Sequence, residues 1–450
     1  MRRRRCPPAG SPWCISRPSI PDPASSRSRP TRRSPRRRSP GAGAAPFTAR
    51  SPSGRCQDTT SPYCRWRAAP GPFCFPCFPT RKGLLVRFSR LGQAAVVAAV
   101  AAITLTSCAA NEAPAAGGSD SATTSTLSGT ITGIGSSAQG TAQTTWAAAF
   151  QTANPDVTVN YDPQGSGAGR TNFINGAADF AGSDSALKEE ELSGTFAACA
   201  PDTKGIDLPV YISPIAVIFN VEGVDELKLD APTIAGIFKG TITTWNAPEI
   251  AALNPDATLP SANITSVHRS DDSGTTQNFT DYLAATASDV WDAPAAQTFP
   301  YQSGDGAKGT SGVVDAVKNG TNTIGYADES GAKGMDMAQL KVGDAFSTIS
   351  ADGAAAVVAA SPVAEGREDN DLAIEIERTG TEADAWPLVL VSYLIVCQEY
   401  ADTEKGEVVK QFASYVASED GQEAAAAQAG SAPLSSELAS TVATAIESIK

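Results

Sequence analysis

The sequence predicts an α/β protein built from two lobes. After residue 126, segments with strand character alternate with segments of helical periodicity, an order typical of sheets covered by helices. The segment Thr141–Asn154 places Trp146 and Phe150 on one helical face, whereas VTVNY at 157–161 alternates like a strand. About 325 residues follow this pattern, which is more than one hydrophobic core comfortably holds, so we expect two lobes.

Apolar runs define the predicted strands, and amphipathic runs define the helices. The longest apolar runs are Val210–Val221 and Leu388–Cys397. The alternation implies parallel-type sheets, and no internal repeat is evident. Further strands are predicted at Leu127–Ile134, Val157–Tyr161, Ala178–Ala181, Ile264–Arg269 and Thr323–Tyr326. Further helices are predicted at Gly169–Ala178, Pro232–Phe238, Thr275–Ala285, Ser311–Asn319, Glu404–Ala417, Glu419–Ala427 and Ser435–Ile449.

Residues 1–85 differ in composition from the rest of the chain. They are rich in Arg, Pro and Ser, hold six of the nine Cys and have no apolar periodicity, so they cannot bury a core. One interpretation is a non-native or disordered leader, with the true start near Leu84, Leu85 or Val86. The other is a basic arm that binds nucleic acid. We favour the leader, because a complete signal peptide follows it.

Residues 86–107 have the features of an export signal. Arg87 and Arg90 supply the positive charge, and Ala94–Leu105 is apolar but short for a membrane span. The signal ends in Leu-Thr-Ser-Cys, which resembles a bacterial lipobox and predicts that Cys108 is lipidated and anchors the protein to the outer face of the membrane. A plain cleaved signal is the alternative. Residues 108–125 are small and polar and predict a flexible tether.

The exported part is strongly acidic. Residues 109–450 contain 15 Lys+Arg against 46 Asp+Glu, a formal net charge of −31. This field repels nucleic acid and also repels small anions at long range, so an anion site here must act through short, directional hydrogen bonds. Two Cys remain in this part. Cys199 and Cys397 either form a disulfide in an oxidising exterior or are two separate small buried residues, and the sequence leaves both open.

Three Gly/Ser turns are the candidate binding elements. They are GIGSSA at 133–138, GSGAG at 165–169 and RSDDSGT at 269–275, and each runs into a predicted helix. The first N–H groups of a helix lack partners within the helix, and the helix dipole adds positive potential there. Three such turns that converge with one Arg would hold a tetrahedral oxyanion.

These segments, in this order and spacing, resemble the substrate-binding lipoprotein of the bacterial ABC-type phosphate importer. The resemblance extends from about Leu127 to the C-terminus and includes ADFAGSDSAL at 178–187, LPVYISPIAVIF at 208–219 and DAWP at 384–387. It implies a type II periplasmic-binding-protein fold with phosphate in the cleft between lobes that close by a hinge. The two crossovers are expected near Ile206–Tyr211 and Thr381–Pro387. Lobe one would comprise 126–207 and 384–450, and lobe two 208–383.

The resemblance also implies a set of phosphate-binding residues. Asp271 would orient the side chain of Arg269. Ser137 stands where the family often has Thr and keeps the hydroxyl, and Ala138 stands where an aromatic residue is common, so only its N–H transfers. The expected ligands are Ser137, Ala138, Ser166 and Asp184 in lobe one and Arg269, Ser273, Gly274 and Thr275 in lobe two.

Asp184 is the informative member of this set. Phosphate near neutral pH needs many donors and one acceptor for its own O–H, and an ionised Asp only accepts. Sulfate has no proton to offer, so a buried Asp184 would be left unpaired beside it. The bland alternatives are that Asp184 caps the next helix, that Ser273–Thr275 is an ordinary helix start, and that Arg269 and Asp271 form a surface pair.

The favoured function is therefore a non-catalytic receptor that passes phosphate to membrane permease subunits. The alternatives are a receptor for sulfate or molybdate and an exported phosphatase. The chain has one His, His268, and no HExxH motif, so neither catalytic residues nor a metal or other cofactor is expected. We expect a monomer that is attached to the membrane through its N-terminal lipid and that does not bind nucleic acid.

Overall fold

The computed structural model describes residues 127–380, 382 and 384–450. All of them belong to one compact unit, Pro114–Lys450. The predicted leader, the signal peptide, Cys108 and the tether lie outside the described residues. Among the residues that are described, no helix combines the length and the apolar character needed to cross a membrane.

Twelve strands lie in the described part of the chain, and most coincide with predicted ones. The prediction missed β5, β7 and β9–β11, which are all short. The strands are β1 (Gly129–Gly135), β2 (Val157–Asp162), β3 (Phe180–Ser183), β4 (Gly205–Asn220), β5 (Lys228–Leu229), β6 (Thr265–Arg269), β7 (Asp305–Ala307), β8 (Thr323–Asp328), β9 (Asp336–Met337), β10 (Gln339–Val342), β11 (Ala345–Ser347) and β12 (Val389–Cys397).

Twelve helices accompany these strands in the same part of the chain. The prediction missed α3, α5, α8 and α9. The helices are α1 (Gly140–Ala153), α2 (Ser166–Ile174), α3 (Glu189–Leu192), α4 (Ala231–Lys239), α5 (Pro248–Leu253), α6 (Gly274–Thr286), α7 (Gly309–Asn319), α8 (Glu329–Ala332), α9 (Ala351–Ala359), α10 (Thr403–Ala417), α11 (Glu419–Ala429) and α12 (Ser436–Glu447).

The strands form a nine-stranded sheet and a small three-stranded sheet. The order in the large sheet is β2-β1-β3-β12-β4-β8-β6-β7, with β9 also paired to β4. Pairing is parallel among β1, β2 and β3 and again among β6, β7 and β8, as the βα alternation predicts. It is antiparallel where β12 meets β3 and β4 and where β4 meets β8. The expectation of parallel-type sheets is therefore wrong for the centre, because β4 and β12 are paired to each other in opposite directions there.

Strand β4 belongs to both halves of the large sheet. Its residues Gly205–Pro214 pair with β12, and Ile215–Asn220 pair with β8. Proline lacks an N–H to donate to a ladder, so a change of partner at Pro214 fits its chemistry. This change of partner lies C-terminal to the predicted lobe boundary at 207/208. The lobe boundaries themselves stay a prediction.

Aromatic clusters fix the helices against each half of the sheet. In one half, the ring of Phe150 packs at 5.4 Å from that of Phe412, and Trp146 Nε1 donates to the carbonyl of Gly421 at 2.7 Å. In the other half, Phe279 stacks on Tyr326 at 4.1 Å, which fixes α6 against β8. Such pairs add about 0.5–1.5 kcal/mol each beyond the area they bury.

A disulfide joins Cys199 to Cys397, with an S–S distance of 2.01 Å and a sequence separation of 198. It links the C-terminal end of β12 to the loop before β4. The structure thus contains the pairing that the sequence left open.

Candidate functional site

The first two Gly/Ser turns are in contact through their glycines. A Cβ on Gly169 would lie 2.7 Å from the Cα of Gly135, and a Cβ on Gly135 would lie 1.9 Å from the carbonyl oxygen of Gly182. The N–H of Gly165 donates to the carbonyl of Gly135 at 2.7 Å. Only glycines permit this approach, which brings the start of α2 against the end of β1.

The third turn packs against the second turn and against Asp184. The N–H of Gly167 donates to the carbonyl of Asp272 at 3.1 Å. A Cβ on Gly274 would lie 2.6 Å from both the Cβ of Asp184 and the Oγ of Ser166. All three turns therefore lie together, although about 100 residues separate the second turn from the third.

Asp184 is buried at the centre of these contacts, with 3% of its surface exposed. Its Oδ1 accepts from Ser392 Oγ at 2.6 Å and its Oδ2 from Thr275 Oγ1 at 3.1 Å. Its own N–H donates to Ser166 Oγ at 3.1 Å. The next helix, α3, begins at Glu189 with Lys188 as its N-cap. Asp184 therefore does not cap that helix, so the alternative interpretation of Asp184 as an ordinary N-cap is wrong.

Arg269 and Asp271 form a buried, two-point ion pair. Nε and Nη2 of Arg269 donate to the two oxygens of Asp271 at 2.8 and 2.5 Å, and the Arg side chain is 3% exposed. Burial pushes the pKa of Asp271 up, but the hydrogen bonds and charge of Arg269 outweigh it, and the pKa is lowered. The pair is buried, so the alternative interpretation of Arg269 and Asp271 as a surface pair is wrong. Two of the five N–H donors of Arg269 are used on Asp271.

Asp271 also connects the third turn to the start of α7. It accepts from the N–H of Gly309 at 3.0 Å. The next residue, Thr310, donates its N–H to Ser137 Oγ at 3.1 Å, and the Thr310 and Ser137 hydroxyls lie 3.0 Å apart. The start of α7 is thus a fourth helix N-terminus at the site, and it bridges to the first turn.

The remaining predicted residues lie at helix starts. Ser273 is the N-cap of α6 and accepts from the N–H of Thr276 at 3.1 Å, which leaves its hydroxyl proton free to donate elsewhere. The N–H of Ala138 donates to Ser136 Oγ at 3.0 Å. The ligand contact that the resemblance implies for Ala138 is therefore made to a neighbouring serine in this structure.

Two cavities reach this cluster. One, of about 570 Å³, is lined by Ser137, Lys308 and Thr310. The other, of about 550 Å³, is lined by Asp184, Asn278 and Arg378. The predicted ligand residues are buried, except for Ser137, which is partly exposed.

Comparison with known proteins agrees with this geometry. A family model described as a PBP superfamily domain matches residues 120–420. The phosphate-binding protein PstS3 of Mycobacterium bovis is 36% identical over 342 residues, which are 73% of this chain and 90% of the relative. This chain belongs to the PBP superfamily and to the PstS family within it.

Other members and one solved structure support this assignment. The PstS2 protein of Mycobacterium bovis is 34% identical over 373 residues, 81% of this chain and 100% of the relative. A high-affinity periplasmic phosphate-binding protein, solved with phosphate bound, has a TM-score of 0.58 at 24% identity, over 70% of this chain and 93% of its own. At that identity it supports the two-lobe fold alone. The resemblance predicted from sequence is confirmed, and its lipoprotein part stays a prediction.

Sequence reasoning missed Thr310, Ser392 and Asn278 in this PstS-family site. Asn278 Nδ2 donates to the carbonyl of Asp184 at 2.7 Å. Thr310 could have been found, because Gly309-Thr310-Ser311 is another Gly/Ser turn before a helix. Ser392 also carried a signal, since it is a hydroxyl within the apolar run LVLVSYLIVC.

His268 and Arg170 are each held by a neighbouring side chain. The ring of His268 stacks on Phe299 at 4.0 Å. Arg170 is buried and pairs with Glu191 at 2.9 Å. Within the residues that the structure describes, no group of three His, Cys, Asp or Glu side chains is placed to hold a metal.

Proposed function

We propose that this protein binds inorganic phosphate outside the cytoplasm and delivers it to the permease of an ABC-type phosphate importer. Two relatives, at 36% and 34% identity, carry the name phosphate-binding protein, and this chain covers 90% and 100% of their length. Phosphate would be held by Ser137, Ser166, Ser273 and Thr275, with Arg269 facing it and the N–H of Gly274 beside it.

The observation that carries the proposal is a buried carboxylate among donors. Asp184 is 3% exposed and lies beside Ser166, Gly274 and Thr275, all of which resemblance assigns to the anion. A carboxylate repels an anion unless the anion brings a proton, and phosphate brings at least one near neutral pH. An ionised carboxylate has about four acceptor sites, so the contacts from Ser392 and Thr275 leave room for a phosphate O–H.

Selectivity follows from the same carboxylate. Sulfate is fully ionised near neutral pH, so an oxygen of Asp184 and an oxygen of sulfate would meet as two acceptors with no proton between them. A buried polar group left unpaired costs about 1–3 kcal/mol, and more when charged. Rejection of sulfate by two or more orders of magnitude is therefore expected, because each 1.4 kcal/mol is a factor of ten in affinity. The alternative of a sulfate or molybdate receptor is disfavoured on this ground.

Calorimetry with phosphate and with sulfate tests the proposal. We expect wild-type protein to bind phosphate one to one and to ignore sulfate at the same concentrations. Asp184→Asn should weaken phosphate binding and reduce the discrimination against sulfate. Asp352→Asn, at an exposed position in the first turn of α9, is the matched control and should behave as wild type. Unchanged selectivity in Asp184→Asn would remove Asp184 from this role.

The protein is proposed to be a receptor and not a phosphatase. The curated relatives are named for binding. Incubation with a chromogenic phosphate ester should give no turnover, and steady release of product would contradict the proposal.

Membrane attachment through Cys108 is a separate part of the proposal. Mass spectrometry of the native N-terminus should find a diacylglyceryl-modified Cys108 as the first residue. An unmodified N-terminus would point to a plain cleaved signal.

A further inference from the structure

A row of buried polar side chains extends away from Asp184 on the side opposite Thr275. Its members are Ser392 in β12 and Gln139 and Gln143 at the start of α1, and all three are 0% exposed. Ser392 Oγ lies 2.6 Å from Asp184 Oδ1, Gln139 Nε2 lies 2.7 Å from Ser392 Oγ, and Gln143 Nε2 lies 2.8 Å from Gln139 Oε1. Buried polar groups are costly unless paired, so this row needs an explanation.

The direction of every hydrogen bond in the row is fixed by one carbonyl. Gln139 Nε2 also lies 2.9 Å from the backbone oxygen of Tyr393, which can only accept. The Gln139 amide must therefore point its NH₂ group at Tyr393 and Ser392, and its oxygen at Gln143. Ser392 thus accepts from Gln139, and its single O–H is left to donate to Asp184.

We propose that Ser392, oriented by Gln139, is a positioning residue for anion specificity: its donated O–H holds one oxygen of the Asp184 carboxylate and so aims the other oxygen at the ligand. This inference rests on the proposed function. Asp184 distinguishes phosphate from sulfate only while an acceptor oxygen faces the anion, because only phosphate has a proton to donate to it. Without the donor from Ser392 the carboxylate can turn away from the ligand, and the discrimination is lost.

The surroundings of Asp184 make this donor important. Helices α2 and α6 contact Asp184 through three uncharged side chains, those of Ser166, Thr275 and Asn278. The titratable groups that sense its charge are Tyr161 and Asp328. Burial chiefly, and then the charge of Asp184, raise the pKa of Tyr161. Ser392 holds Oδ1 and Thr275 holds Oδ2, so the orientation of the carboxylate depends on these two hydroxyls.

The hydroxyl of Ser392 has no part in the strand ladder. Its backbone faces Tyr211 in the pairing of β12 with β4, and that pairing does not involve the side chain. Ser392→Ala therefore removes the donor and leaves the backbone pairing intact.

The test is calorimetry of phosphate and of sulfate against Ser392→Ala. We expect phosphate affinity to fall about tenfold, the usual contribution of a hydrogen bond to a charged group, and sulfate affinity to stay level or to rise. The phosphate-to-sulfate ratio should then drop at least about tenfold. Ser392→Cys, which keeps a weaker donor, should give an intermediate ratio. Ser347→Ala removes another buried strand hydroxyl, one without a hydrogen-bond partner, and is the matched control.

A purely structural role for Ser392 would lower both affinities alike and leave their ratio unchanged, which would overturn the proposal. If Ser392→Ala fails to fold, Gln139→Met is the second variant, since it interrupts the row one step further from the ligand. It should also lower the ratio of phosphate affinity to sulfate affinity. The wild-type titration separates the two hypotheses. A wild type that binds no phosphate overturns the proposed function, whereas a wild type and a Ser392→Ala variant with equal selectivity overturn only the inference.

Discussion

Gly274 is the residue at which the two sides of the site meet most closely. It begins α6, and any side chain there would enter the space held by Asp184 and Ser166. The resemblance gave Gly274 a role through its N–H, and the structure adds a steric one. A single carbon atom at this position would separate the donors on α6 from the acceptor on Asp184.

We predict that Gly274→Ala lowers phosphate affinity by at least about a hundredfold, because hydrogen bonds to charged groups contribute about 1.5–3 kcal/mol and more than one would lengthen. Calorimetry is the measurement. Gly312→Ala, which also places a Cβ near a helix N-terminus but meets only ordinary contacts from 3.6 Å, is the control and should bind as wild type. Equal phosphate affinities for Gly274→Ala and Gly312→Ala would contradict the prediction, because the turn at Gly274 would then have shifted without any loss of binding.

At the residue scale, the sequence proposed ligand residues but not the contacts that hold them. Asp184, Arg269 and Ser273 belong to contiguous motifs, so the resemblance could propose them. Ser392 contacts Asp184 across 208 positions of the sequence, and Thr310 contacts Ser137 across 173. Contacts between distant segments depend on the order of the strands, which no local pattern contains. Ala138 shows the converse, since its N–H, which was expected to reach the ligand, donates to Ser136 in this structure.

Among the elements, the longest were predicted and most of the short ones were not, although the nine-residue helix α9 was missed and the four-residue strand β3 was found. Strands β4 and β12 are continuous apolar runs, and helices α1 and α10 have clear periodicity, so their existence followed from pattern. The two-residue strands β5 and β9 have too few residues for any period. The centre of the sheet was predicted to be parallel and is antiparallel. The relative direction of β12 and β4 depends on the path of the chain between them, which the composition of neither strand reveals.

The end of β8 carries a carboxyl group that couples protonation to folding. Asp328 is fully buried, is the N-cap of α8, and accepts from Tyr211 Oη at 3.3 Å and from the N–H of Ser330 at 3.0 Å. Burial raises its pKa to about 7, hydrogen bonds from Ser213 and Ser330 oppose the rise, and the charge of Asp184 adds to it. The folded protein therefore holds a proton here that the unfolded chain releases near pH 4.

We predict that this proton makes the free energy of unfolding fall as pH rises from about 5 to 7, by up to about 1.4 kcal/mol per pH unit. The sign follows from the raised pKa: the stabilisation is complete below the unfolded value and is lost as pH passes through the folded one. Urea unfolding at several pH values in phosphate-free buffer should show a shallower fall for Asp328→Asn, whose side-chain oxygen can still cap α8. Asp352→Asn serves as control, and parallel curves for wild type and Asp328→Asn would contradict the prediction.

At the scale of the whole molecule, an acidic protein binds an anion. Residues 109–450 carry a formal net charge of −31, and the site contains one guanidinium that is already paired with Asp271. Attraction must then come from hydroxyls and from N–H groups at helix starts, which act over a few ångströms. The composition of the sequence predicts a negative electrostatic potential, and hence the need for donors that act at short range. That these donors converge on one site is seen only in the fold.

We predict that salt speeds phosphate binding. The Debye length falls from about 30 Å at 0.01 M to about 8 Å at 0.15 M, which screens the distant acidic groups and leaves the buried contacts largely unscreened. The association rate constant, measured by rapid mixing in sodium chloride, should rise a fewfold over that range, while the dissociation rate constant stays nearly constant because it depends on the local hydrogen bonds. An association rate that falls with salt would mean that the positive potential of Arg269 and the converging helix starts extends beyond the mouth of the cleft and outweighs the acidic surface.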